Sequence, residues 1–338
     1  MKNYKTILYI GNNLVKKTNY NTSMEVLSKL LVQEGNIVIK SSNKENKLLR
    51  LISMCFSIIR YSYRIDYILI DTFSTTNFYF AFFTSQLSRI FRVKYITILR
   101  GGNLPSRIKR SRRLSNLIFN NSYKNVAPSN YLKSEFKKQG YKTLFIPNIL
   151  EIENYNFKER NKIQPNLLWV RAFKKLYNPT LAVKVLNLLK KEFPKAKLCM
   201  IGPHTDFSFN ESKKLAKKLN LLNSIEFTGV LPKKEWHKKS IEFDIFINTT
   251  NFDNTPVSVM EAMALGLPIV STNVGGMPFL IDNKKDGFLV EKENKKQMYS
   301  AIINLINNND LRIALNARKK AESFSWAVVR TKWLEILS

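Results

Sequence analysis

Acidic residues are scarce in this chain, where 25 Asp and Glu stand against 55 Lys and Arg for a formal net charge of +30. Histidine and cysteine are scarcer still, at two each. His204 and His237 leave little scope for histidine-centred acid–base work, and no Ser-His-Asp, Cys-His or HExxH pattern occurs. Cys55 and Cys199 lie far apart and match neither a metal nor a disulfide spacing, which suits a reducing compartment. No Asp-x-Asp pair is placed like a metal–diphosphate clamp, so metal-independent chemistry is expected. Long hydrophobic runs are also missing. The longest, residues 51–59, is too short to span a bilayer, and Asp66 and Asp71 interrupt the next. Residues 1–6 run straight into a first strand, so neither a signal peptide nor a transmembrane anchor is expected, and a cytoplasmic location is.

The chain's 338 residues suffice for two domains of ordinary size, and 44% apolar content fits a globular protein. Nucleotide bias in the source would spread the positive charge evenly, yet residues 1–150 carry 25 Lys and Arg against 6 Asp and Glu. The first half is therefore the place to expect an anionic partner. Within it, short apolar runs at 6–10, 36–40, 66–71, 94–99, 124–127 and 143–146 read as strands. Helical patterns lie between them, clearest at 22–33, 47–63, 77–91 and 130–139. Alternation with short connections predicts a parallel, doubly wound sheet. Pro147-Asn148 and the polar segment 151–165 read as the interdomain linker. Alternation then restarts, with strands at 166–170, 197–201, 224–227 and 243–248 and helices over 179–191 and 212–219. The tail from about residue 295 reads as helical, ending in an amphipathic segment that starts near Phe324.

Residues 251–272 (NFDNTPVSVMEAMALGLPIVST) carry the densest signal. Asp253, Asn254 and Thr255 are turn and N-cap types, and Pro256 suits the first helical position. A short helix from Val257 should stop at Gly266 and feed a buried strand. The open amides of such a helix start, at Val257 and Ser258, favour an anion, a phosphate above all. Glu261 sits about 7 Å further along the axis, near the span from a diphosphate to the ribose of one nucleotide. The same spacing also fits an ordinary capped helix with Glu261 on a wet face.

Two acids eight apart around a Pro, then Glu-Ala-Met-Ala-x-Gly-x-Pro-Ile-Val and Asn273-Val-Gly-Gly276, resemble the signature of family 4 retaining glycosyltransferases. The resemblance implies a GT-B fold: an acceptor-binding domain over 1–150 plus a final helix of about 323–338 that crosses back to it, and a nucleotide-sugar-binding domain over 151–322. It implies transfer from a nucleotide-sugar donor, a UDP-sugar in preference to a GDP-sugar, to a glycan or lipid-linked acceptor in polysaccharide or lipopolysaccharide assembly. Arg171 and Lys175 (in preference to Lys174) would stabilise the leaving diphosphate, although the usual Lys-Gly pair is replaced here by Lys175-Leu176, and a solvated basic loop is the competing reading. Asp253, where the family has Glu, would meet the donor sugar, and Glu261 the ribose. Gly202, Val230 and Leu231 would border the nucleotide, with Asn254, Thr255, Pro256, Val257 and Ser258 at the diphosphate.

On the acceptor side, Gly11, Asn12 and Asn13 close the first strand, and Arg100, Gly101 and Gly102 close a later one. Relatives place a His before this Gly pair. Arg100 stands there instead and is expected to bind an anionic group on donor or acceptor. Arg107, Lys109, Arg110, Arg112 and Arg113 crowd seven positions. They read either as a solvated face or as a peripheral contact with anionic headgroups. The stretch 44–67 fits an interfacial helix and a core helix alike. Two rival readings remain: a GT-B sugar-nucleotide epimerase, and a basic nucleic-acid-binding protein. No recognition motif accompanies the charge, so nucleic acid is not expected as a partner.

Overall fold

A computed structural model describes residues 4–12 and 22–338. The chain forms two compact units: Met1–Ile149 joined by Trp326–Ser338, and Leu150–Ser325.

In the first unit, β1 (Thr6–Ile10), β2 (Ile37–Ser41), β3 (Tyr67–Thr72), β4 (Lys94–Leu99), β5 (Lys124–Ala127) and β6 (Leu144–Phe145) form one sheet in the order β2-β1-β3-β4-β5-β6. Every strand pair is parallel. Both faces must then be covered, and the strand sequences show how. Alternate residues of β1 point to opposite faces, so Ile7 and Tyr9 enter one apolar cluster and Leu8 and Ile10 another. Helices Ser23–Gln33 and Trp326–Ile336 close the first cluster through Leu27, Leu31, Val329 and Trp333. Helices Lys47–Tyr61 and Asn77–Ile90 close the second through Met54, Ile58, Phe80 and Ala81.

The second unit repeats the plan. Strands β7 (Asn166–Val170), β8 (Lys197–Ile201), β9 (Ile225–Gly229), β10 (Ile245–Asn248), β11 (Ile269–Thr272) and β12 (Phe288–Val290) pair in parallel in the order β12-β11-β10-β7-β8-β9. Leu167 and Trp169 feed one face, Leu168 the other. The segment 151–165 is no linker: Tyr155, Arg160 and Ile163 are buried in this unit. Arg160 donates to the carbonyls of Phe243 and Gly266, which satisfies loop ends that water does not reach.

Chain order reverses once in each sheet, between β1 and β3 and between β7 and β10. Such switch points open a crevice beyond the carboxyl ends of the strands, where ligands of open α/β sheets collect.

Candidate functional site

At the second unit's switch point, β7 runs into Arg171 and β10 into the loop 249–255. Arg171 Nη2 and Asp253 Oδ2 form an ion pair across it. The guanidinium also lies 4.3 Å from the centre of the Tyr177 ring, and its Nε is buried with no hydrogen-bond partner among the described residues. Asp253 Oδ1 accepts the Asn254 amide at 2.9 Å, and its carbonyl accepts Gly276 N at 2.9 Å, so the loops after β10 and β11 hold each other. A Cβ on Gly276 would lie 1.7 Å from the Asn254 carbonyl oxygen. The two glycines of the Asn273–Gly276 motif therefore serve this close approach. Lys174 and Lys175 are exposed, and neither ammonium pairs with a described residue; Lys175 is anchored through its amide, which donates to Asp206 Oδ2 at 2.8 Å. Gly202 ends β8 beside Arg171, with its amide on the Gly229 carbonyl at 2.8 Å. Val230 is exposed and Leu231 half-buried just past β9.

Helix Val257–Ala264 begins at Val257, as its sequence suggests, but Pro256 precedes the first helical position instead of filling it. Pro256 occupies the N-cap with φ −68° and ψ 121°, and no side chain caps the helix. Proline's fixed φ suits either position, and it is the extended ψ that delays the first turn. Asp253 does not cap because Arg171 and the Asn254 amide occupy it. The Pro256 carbonyl accepts Val259 N and Met260 N at 3.1 and 3.3 Å, which leaves the Val257 and Ser258 amides without an acceptor among the described residues. The far end is a double turn closed by Gly266. Leu267 N donates to the Ala262 carbonyl and Gly266 N to that of Met263, at 3.0 and 3.2 Å.

Glu261 lies one turn inside this helix and is buried, not on a wet face. Its Oε1 accepts the Tyr155 hydroxyl at 3.0 Å and Lys233 Nζ at 2.6 Å. Burial, reinforced by the Glu261 charge, raises the Tyr155 phenol far above its ordinary value, so it remains a donor. The His237 ring packs 4.7 Å from that of Tyr155, and its Nε2 is buried without a hydrogen-bond partner among the described residues. Burial first and the nearby Lys233 second push His237 down to about 4, so the imidazole is neutral at pH 7. The sequence marks neither Tyr155, which falls in a polar stretch that reads as a linker, nor Lys233, one Lys among many. The turn at Gly229–Pro232 was the available clue to Lys233.

In the first unit, the residues expected near an acceptor also meet at a switch point. Gly11 closes β1 so tightly that a Cβ there would sit 2.8 Å from Asp71 Oδ2. Asn12 accepts Arg50 Nη1 at 3.0 Å, and Asn13 lies outside the described residues. Arg100 does not present a free guanidinium to a substrate anion. Its Nε, Nη1 and Nη2 donate to Asp71, Asn148 and the Tyr9 hydroxyl at 2.8, 2.9 and 3.0 Å. Burial opposes that charge, yet Asp71 and Tyr9 more than offset it and raise the Arg100 pKa. Its anionic partner is thus Asp71. Gly101 passes close to Ser74, and Gly102 completes the turn before helix Leu104–Arg110. The basic cluster divides. Arg107 donates to the Ser74 carbonyl at 2.8 Å and Arg112 to that of Gln139 at 2.9 Å, while Lys109, Arg110 and Arg113 are exposed.

Residues 151–322 match the family described as glycosyl transferases group 1. An uncharacterized glycosyltransferase of Haemophilus influenzae is 27% identical over 208 residues, 61% of this chain and 57% of its own. The amylovoran biosynthesis glycosyltransferase AmsK of Erwinia amylovora is 28% identical over 200 residues, 56% of this chain and 48% of its own. The chain spans about half the length of the curated relatives it matches. Among solved structures, Anabaena Alr3699/HepE in complex with UDP-glucose superposes with a TM-score of 0.76 over 99% of both chains, at 17% identity. That likeness establishes the GT-B fold, with its two six-stranded parallel sheets. The family match takes in Glu261, the uncapped helix start and the Arg171–Asp253 pair, and it covers half of the sequence. The chain therefore belongs to the glycosyl transferases group 1 family.

Proposed function

We propose that the protein is a retaining, metal-independent glycosyltransferase that moves a sugar from a nucleotide donor to a glycan or lipid-linked acceptor in polysaccharide assembly. The observation that carries this reading is the grouping in the second unit: two unclaimed helix amides, a guanidinium at the switch point, and a buried carboxylate one turn deeper. The diphosphate lies on the Val257 and Ser258 amides and beside Arg171, where the helix dipole and the guanidinium oppose negative charge developing on the leaving group. Exposed Lys175 adds a third positive group by swinging inward. Glu261 accepts the ribose hydroxyls, and Asp253 both aims Arg171 and reaches the sugar. The leaving phosphate takes the acceptor proton on the face it departs from, which returns the sugar with its configuration retained.

UDP-sugars are the preferred donors in this reading. Anabaena Alr3699/HepE, which shares the fold, was crystallised with UDP-glucose. The relative from Erwinia amylovora is named for the biosynthesis of amylovoran, which supports a polysaccharide setting. Exposed Lys109, Arg110 and Arg113 suit an acceptor that carries phosphate.

A thermal-shift panel of UDP, GDP and their sugars tests the site directly. UDP should raise Tm, and Arg171→Ala should lower donor turnover on the order of 10²- to 10³-fold with the fold intact. Unchanged turnover in that variant, or no stabilisation by any nucleotide, refutes the proposal.

A further inference from the structure

Helices Lys47–Tyr61 and Asn77–Ile90 pack side by side over one face of the first unit's sheet. A helix with one face in a core and the other in water carries polar residues outside. These two do not. Opposite the buried Met54 and Ile58, the first helix turns outward a stripe spaced three and four apart: Leu48, Ile52, Phe56 and Ile59, of which Ile52 and Phe56 are 55% and 59% exposed. Its neighbour adds Phe83 and Ile90, with Ile90 74% exposed. Contiguous apolar surface of this kind marks an interaction site.

The charge around it is equally one-sided. Between Glu45 and Glu135 the sequence has 15 Lys and Arg and only two acids, Asp66 and Asp71. Asp71 is neutralised inside the unit by Arg100, whereas Asp66 accepts the Thr6 amide at 2.8 Å and stays exposed. The fringe of the stripe is therefore net cationic: Lys47, Arg60, Arg64, Arg89 and Arg92 are all exposed, against the exposed acids Glu45 and Asp66.

We infer that this face docks on an anionic lipid bilayer, with the stripe entering the acyl boundary and the fringe meeting headgroup phosphates. An anionic bilayer supplies both chemistries in the right order, apolar beneath and negative at the rim. A second copy of the chain supplies only the first, since a two-fold contact sets the patch against itself and brings the cations together. This inference does not depend on sugar transfer and stands or falls separately from it. It also resolves the sequence ambiguity at 44–67, because one helix serves the core and the surface with opposite sides.

Co-sedimentation of the full chain with vesicles tests it. Binding is expected to vesicles in which about a third of the phosphatidylcholine is replaced by phosphatidylglycerol, and to weaken with salt. Ile52→Asn with Phe56→Asn should reduce partitioning at least about tenfold, and Arg60→Gln with Arg64→Gln about fivefold per charge. All four side chains are exposed, so Tm should not move. The inference is overturned if the wild-type chain ignores anionic vesicles, or if the apolar variant binds them equally well. A dimer abolished by that variant, without vesicle binding, assigns the face to a second copy and likewise overturns it.

Discussion

The functional side chains of this protein are set by partners distant in sequence. Glu261 was recognisable from its place in the motif, but Tyr155 and Lys233, which share its Oε1, lie 106 and 28 positions away. Arg100 shows the opposite outcome: its position suggested a substrate contact, and Asp71, 29 positions off, claims it instead. His237 offers a test at this scale. Its folded value of about 4 lies below the ordinary 6.5 because of burial and the Lys233 charge. Between those values the unfolded chain binds a proton that the folded chain refuses. Stability from this residue is thus complete above about pH 6.5 and lost as pH falls toward 4. Urea unfolding at pH 7 and pH 5 should show a smaller acid-induced loss in His237→Gln than in the wild type. An equal loss places the effect in other groups.

Elements were easier to read than their ends. The strand runs stand out because both faces of a parallel sheet must be apolar, and helix Val257–Ala264 because Gly266 stops it. Helix Leu104–Arg110 was hidden by its charge, which reads as a solvated run until Ile108 and Leu104 are seen buried. At this scale the loops after β10 and β11 act as one piece, joined by the Asp253 carbonyl and the Gly276 amide. Gly276→Ala forces the Asn254 carbonyl away and should displace Asp253 by an ångström or so. A fall in turnover on the order of 10²-fold is expected, with far-UV dichroism preserved. Full activity in this variant separates the loop geometry from donor binding.

At the scale of the whole molecule, each unit has its own apolar clusters among the described residues. The clusters of the second unit draw only on residues within Leu150–Ser325, whereas the first unit relies on Val329, Trp333, Ile336 and Leu337 from the chain's last helix. Deleting residues 326–338 removes these buried side chains from the first core at about 1.5–3 kcal/mol each. Denaturant unfolding should then show the first unit's transition collapsing to low denaturant while the second stays in place. A single transition that shifts as a whole speaks against separate cores.

By itself the sequence determined the class of most strands and of the clearest helices, the two-fold repetition of a doubly wound sheet, and the acid–Pro–acid motif. All of these are local patterns, dictated by side-chain periodicity and by the backbone limits of Gly and Pro. The tertiary structure alone decided which strands flank each switch point, that Arg171 meets Asp253 and Arg100 meets Asp71, and that an apolar stripe faces outward within a mainly cationic fringe. Those outcomes depend on packing between distant segments, where burial and charge pairing select partners that no neighbouring residue announces.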